Sequence, residues 1–201
     1  MPEALFPARV LRRFVDTLSA DLGHDTFSAV LEKGGLPVEW AHAEHLGPLD
    51  DARAANSYAR LQAALRTYYG RGARGILLRI GTNMWVHLLN DAPLGLRTQA
   101  TLVRRFPLGL RRKPTLELLA RLLSTKTGDI TVHTLDLDLL LVHHASSAAL
   151  SQTESAPICY VTQGLVREAL FWAVGVEHDI EETSCCAMGA EDCKFKITIG
   201  V

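Results

Sequence analysis

Glu182-Thr-Ser-Cys185-Cys-Ala-Met-Gly189-Ala-Glu-Asp-Cys193-Lys-Phe195 is the stretch that decides the reading of this chain, together with Cys159 upstream. Three of the chain's four cysteines and one carboxylate are spaced Cys159–x22–Glu182–x2–Cys185–x3–Gly189–x3–Cys193. Thiolate sulfur and carboxylate oxygen are ligand types of tetrahedral zinc.

Strand parity predicts how the four meet. Val176 to Glu182 alternates, with Val176, His178, Ile180 and Glu182 on one face. Cys193, Phe195, Ile197 and Ile199 share one face of the last strand, and Lys194, Lys196 and Thr198 take the other. Gly189 permits a tight turn between the two strands, and Cys185 lies in that turn. Cys159 precedes the helix expected to cover the apolar face. One isolated cysteine would read as a small buried residue. Three cysteines and a carboxylate converging on one corner read as a metal site. Spacing alone leaves Cys186 as open as Cys185, because neighbours in a turn both reach inward.

The composition is that of a globular protein. The 201 residues are 48% hydrophobic and 21% charged, enough for a sizeable core and too apolar for disorder. The formal charge of −1 supplies no global attraction to nucleic acid or to an anionic membrane. No apolar run is long enough to span a bilayer, and MPEALFPARVLRRF lacks the order of a signal peptide. The expected location is therefore cytoplasmic, where thiols stay reduced and clustered cysteines favour metal over disulfide.

Helical periodicity dominates upstream. Val10, Leu11, Phe14, Val15 and Leu18 predict a helix over 8–22, ended by Gly23. Asp25 opens a short helix that Gly34-Gly35 stops, and 36–49 reads as a loop. Asp50 or Asp51 caps a helix with the stripe Tyr58, Leu61, Leu65 and Tyr68. A further helix spans about 73–89, with Gly81 on its apolar face marking the close approach of another backbone. Thr98 to Phe106 is helical, and Pro114 suits the first turn of a helix to about Ser124. Ile130 to Val142 then reads as two strands or one long bent strand, 145–157 as a loop and 160–174 as a helix ended by Gly175. The expected fold is α+β: N-terminal helices, then a β-β-α-β-β unit whose antiparallel sheet packs on helices. The expected division is a helical segment over 1–49 and a ligand-binding domain over 50–201.

The segment Cys159-Tyr-Val-Thr-Gln-Gly164 followed by Glu182 to Phe195 resembles the 4-vinyl reductase domain family. That family includes sensory domains of phenol- and xylene-responsive activators, and is related in fold to ligand-binding domains of nitric-oxide signalling and Golgi transport proteins. The resemblance implies that Cys159, Glu182, Cys185 and Cys193 hold zinc, which favours Cys185 over Cys186. Where the family often has a second glycine one turn after Gly164, this chain has Glu168.

Four protein ligands leave no open position, so the zinc is expected to be structural and no residue is assigned as catalytic. No nucleotide loop, dinucleotide fingerprint or nucleophile elbow is present. The resemblance points instead to a small hydrophobic or aromatic ligand, held in a pocket for which Trp85, Phe106, His133, His143, Tyr160, Phe171 and Trp172 are the candidate lining residues. A second expectation is an accessory or reductase-like role in bacteriochlorophyll synthesis. There the basic stretch Arg104, Arg105, Arg111, Arg112 and Lys113 would hold an acidic group, though it reads equally as a solvated loop. A third is a homodimeric interaction module that pairs through the Tyr58 stripe or the N-terminal helix.

Overall fold

In a computed structural model the described residues are 4–199. Helix α1 (Ala8–Leu22) buries Val10, Leu11, Phe14, Val15 and Leu18, as the three-four spacing requires. Gly23, in the left-handed region at φ +77°, ends it and leads into α2 (His24–Lys33). The expected loop over 36–49 contains two short 3-10 turns, Val38–Ala41 and Ala43–His45. Arg12 fastens them to α1, donating to the carbonyls of Ala43 at 2.9 Å and Leu46 at 2.8 Å.

Asp50 caps α3 (Asp51–Tyr69), its side chain accepting the Arg53 N–H at 2.7 Å. On its inner face Tyr58 stacks on Phe6, ring centroids 4.1 Å apart, and meets the edge of Phe14. Tyr58, Leu61 and Leu65 are buried in the chain's own core, and so are the apolar residues of α1. Neither face is available to pair two copies, which corrects the expected dimer surfaces. Tyr68, the last of the stripe, is exposed.

The central contact lies between α4 (Ala73–Asn90) and α7 (Tyr160–Val174). Between them in the chain come α5 (Leu94–Val103) and α6 (Arg112–Leu123). Helix α5 starts earlier than its apolar spacing indicates because Pro93 precedes its first turn. Pro114 falls two residues inside α6, where a missing N–H still costs no helical bond.

Strand β1 (Ile130–Leu135) and β2 (Asp138–His143) form a hairpin, with Asp136 at φ +51° in the turn. Two strands thus replace the alternative of one bent strand. After α7 come β3 (Asp179–Ser184) and β4 (Cys193–Thr198), and the antiparallel order is β1-β2-β4-β3. The molecule is α+β, with a small four-stranded antiparallel sheet. In β3 the side chains of Ile180 and Glu182 are buried while those of Asp179, Glu181 and Thr183 are exposed, so the parity assigned from sequence holds. No helix of the described residues is long and apolar enough to cross a membrane.

Candidate metal centre and its surroundings

Local geometry turns four separated residues toward one point. Glu182 pairs with Phe195 across β3 and β4, and the register then slips between Glu182 and Ser184. Such an irregularity bends the strand and re-aims the side chains beyond it. Cys185 leaves the strand into a 3-10 turn, Cys186–Met188, which Gly189 closes at φ +88°. The carbonyl of Cys185 accepts the N–H of Met188 at 3.0 Å and of Ala190 at 3.3 Å, fixing the loop around its own sulfur. Cys193 begins β4, and Cys159 immediately precedes α7.

The donor atoms of Cys159, Glu182, Cys185 and Cys193 all lie within 4.8 Å of one another. The sulfur separations are 3.5 Å for Cys159–Cys193 and 3.9 Å for both Cys159–Cys185 and Cys185–Cys193. A tetrahedral ion with metal–sulfur bonds of about 2.3 Å has sulfur–sulfur edges of about 3.8 Å, so this corner has the dimensions of such a site. Glu182 Oε2 accepts the backbone N–H of Cys159 at 2.9 Å, while its buried Oε1 has no partner. A buried acceptor left open costs free energy unless something occupies it. Cys186 is turned away: its Sγ donates to the Glu191 carbonyl at 3.4 Å, and its backbone N–H donates to Cys193 Sγ at 3.2 Å. It thus acts as a support for a donor sulfur.

The protonation states point the same way. Burial pushes Glu182 up to about 8, partly opposed by its hydrogen bonds with Cys159. Cys159 is raised by its hydrogen bonds with Cys185 and Cys193, and further by burial. Those same bonds, from Cys159 first, hold Cys185 well below the usual thiol range. For Cys193 the contact with Cys159 lowers the value, but donation to Cys185 and burial outweigh it. The corner by itself carries about one negative charge. Four ionised donors need a cation among them.

The candidate ligand-lining residues do not share one pocket. Trp85 is fully buried and meets Trp172 edge-on, ring centroids 5.6 Å apart, with the Arg104 guanidinium over the Trp172 ring at 5.4 Å. Phe106 is exposed on the loop after α5. His133 is exposed on β1, its Nε2 bonded to Thr131 at 2.9 Å. Phe171 is exposed at a surface cleft between α4 and α7, beside Glu168, because the helix face that carries Trp172 inward turns its neighbour outward. His143 pairs in register with Cys193 and is buried at the metal corner, where burial lowers its pKa to about 4 and keeps it neutral. Tyr160 alone of the seven borders a cleft shared with a donor. That cleft, about 330 Å³, is lined by Arg74, Tyr160, Gln163, Ile180 and Glu182 among others. Arg74 and Gln163 escape sequence reasoning because neither stands in a chemical motif. Gln163 is found only by knowing that its amide donates to the Ile180 carbonyl at 2.6 Å.

Residues 142–199 match the family model of the 4-vinyl reductase domain, a span that contains all four donors. Among solved structures, the chain is similar to the phenol-responsive sensory domain of the transcription activator PoxR with phenol. The identity is 15% and the TM-score 0.50, over 70% of this chain and 73% of that one. It is also similar to an H-NOX protein from S. oneidensis in the Fe(II)NO ligation state, at 14% identity and TM-score 0.57 over 96% and 99%. An oxygen-binding H-NOX domain related to soluble guanylate cyclases matches at 13% identity and TM-score 0.53, over 94% and 92%. At these identities the likeness is one of fold. No curated protein matches the chain by sequence.

The H-NOX likeness raises the question of heme, which needs an axial donor beside a pocket of its own size. His143, the buried histidine among the described residues, stands in the packed corner beside Cys193. The cleft at Tyr160 lies at the low end of small-molecule pockets, below what a porphyrin needs. The residues present do not fit a heme. The donor corner, its parity and the family model agree instead on one assignment: residues 142–199 make up a 4-vinyl reductase domain.

Proposed function

We propose that residues 50–201 form a small-molecule sensory domain whose C-terminal unit is pinned by a structural zinc on Cys159, Glu182, Cys185 and Cys193. The observation that carries this reading is the sharing of Glu182 between the donor cluster and the 330 Å³ cleft. The metal would hold one wall of the cleft in place, and a ligand in the cleft would bear on that wall. Tyr160 offers an aromatic face with Arg74 above it at 5.9 Å. Arg74 and the amide of Gln163 supply polar contacts at one end. This chemistry fits a single-ring aromatic carrying a hydroxyl or an acidic group.

The zinc itself would act through charge. It would ionise the four donors together and tie the entry of α7 to β3 and β4, adding folding free energy rather than reactivity. Because Glu182, Cys159 and Cys193 all sit above their ordinary values, zinc binding at pH 7 is expected to release about three protons. Calorimetric titration of metal-free protein in two buffers of different ionisation enthalpy measures the number. Release of fewer than one proton per zinc would sink the four-donor assignment.

The ligand half of the reading is tested separately, with a panel of phenols, aromatic carboxylates and tetrapyrroles read by thermal shift. A phenol or aromatic carboxylate is expected to raise the melting temperature of the zinc-loaded chain. Tyr160→Ala and Arg74→Ala should each weaken that effect about tenfold without loss of zinc. Uptake of a coloured tetrapyrrole instead would move the assignment to tetrapyrrole handling. Binding that neither substitution alters would place the ligand elsewhere in the molecule.

A further inference from the structure

Between Asp91 and Glu117 the chain has no carboxylate and six cations: Arg97, Arg104, Arg105, Arg111, Arg112 and Lys113. The remaining chain then carries fifteen of the 21 basic residues against all 22 acidic ones, so a nearly neutral protein is strongly polarised. Among the described residues none of the six is in an ion pair. The same segment exposes large apolar side chains: Leu94 at 77%, Leu108 at 57% and Leu110 at 65%, with Leu102 and Phe106 close behind. Every residue from Arg104 to Leu110 is exposed.

This is not an unstructured tail. Arg111 Nε donates to the Phe106 carbonyl at 2.7 Å and its Nη1 to the Ala173 carbonyl at 3.1 Å, so the loop is closed on itself and tied to the end of α7. Arg112 donates to His178 at 2.8 Å. The turn Leu108–Leu110 is thereby held outward with its leucines in water. On α5, Leu94 and Leu102 share the outer face with Arg97 and Arg105.

From this placement we infer that the α5 face and the 104–113 loop form a docking surface for an anionic lipid bilayer. Exposed leucines and a phenylalanine interleaved with unpaired cations match an interface whose outer layer is negative and whose next layer is hydrocarbon. Nucleic acid would match the arginines but leave the leucines without a partner. The inference rests on this face alone and stands independently of the zinc and ligand readings.

The full chain is floated with vesicles of phosphatidylcholine, and with vesicles of phosphatidylcholine and phosphatidylglycerol, at low and at physiological salt. Retention is expected on the anionic vesicles only, weakening as salt rises. A cation near such a surface contributes about fivefold to binding. The triple variant R97Q/R105Q/K113Q should therefore bind at least about tenfold more weakly, and F106S/L108S/L110S should lose as much through the apolar contacts. All six side chains are exposed, so the melting temperature and zinc content of both variants should match those of the parent. Equal retention on neutral vesicles, no retention on either, or variants that bind like the parent would overturn the proposal. So would an oligomer that F106S/L108S/L110S dissociates while vesicles retain nothing, since a second copy would then be what covers the face.

Discussion

Cys159→Ser and Cys193→Ser are each expected to lose the zinc and to lower the melting temperature of the full chain by about 10 °C or more. Serine oxygen is a poor zinc donor, and the site has four donors and no spare, because Cys186 Sγ is engaged with the Glu191 carbonyl at the surface. Loss of the ion leaves the buried Glu182 Oε1 without a partner and unties the entry of α7 from β3 and β4. Structural zinc contributes about 10–16 kcal/mol to small domains that depend on it. Here a larger core persists without the ion, so only part of that is at stake, at least about 4 kcal/mol. For a chain of this length each kcal/mol moves the midpoint by roughly 2–4 °C. Cys186→Ser is the control: it should keep one zinc per chain and melt within about 2 °C of the parent. Native mass spectrometry, metal analysis and calorimetry read all three variants. Full zinc content and full stability in both donor variants would remove the metal reading. Zinc loss without destabilisation would leave a metal site but take away its structural role.

The donor corner was legible in the sequence because parity is a local property. Glu182 ends one strand and Cys193 begins the next on the core-facing side, and Gly189 allows the return, so three constraints within twelve residues placed the corner before any packing was known. Parity could not separate Cys185 from Cys186. That choice is made by the register slip after Glu182, which redirects the turn and which no residue type announces. The helices were legible where an apolar stripe met a stop, as in α1, which Gly23 ends. They were less so where proline set the boundary, as with Pro93 before α5. The lining residues failed for a different reason. Aromatic side chains were grouped by type, whereas position on the helix decides exposure: Phe171 and Trp172 are adjacent and point opposite ways. Phe106 belongs to a loop whose outward course depends on Arg111 reaching back to Ala173, sixty-two residues away in the chain.

Substitution of Gly81 or Gly164 by alanine is expected to destabilise the protein by about 3 kcal/mol or more, whereas Gly75→Ala on the same helix as Gly81 should be neutral or stabilising by up to about 1 kcal/mol. In isolation all three changes favour a helix, since alanine is the better helix former. The opposite sign comes from tertiary packing. A β-carbon on Gly81 would lie 2.2 Å from the Val161 carbonyl oxygen and 3.0 Å from the Leu165 nitrogen. One on Gly164 would lie 2.2 Å from the Leu78 carbonyl oxygen and 3.1 Å from the Gly81 Cα. The obstructing atoms are backbone in both directions, so no side chain can turn aside, and α4 and α7 must move apart. Their separation would loosen Leu77, Ile80, Met84 and Trp85 on one helix from Val161 and Leu165 on the other, all fully or almost fully buried. It would also shift Cys159 at the head of α7, so zinc affinity should fall along with stability. At Gly75 a β-carbon meets nothing within 4 Å. Chemical denaturation of the three variants, with zinc titration of the first two, measures both effects. The two close-contact changes should not add when combined, because the first separation already makes room for the second methyl. If Gly81→Ala proved as stable as Gly75→Ala, the helices would not cross at glycine, and the wall that the metal corner braces would have to be drawn differently.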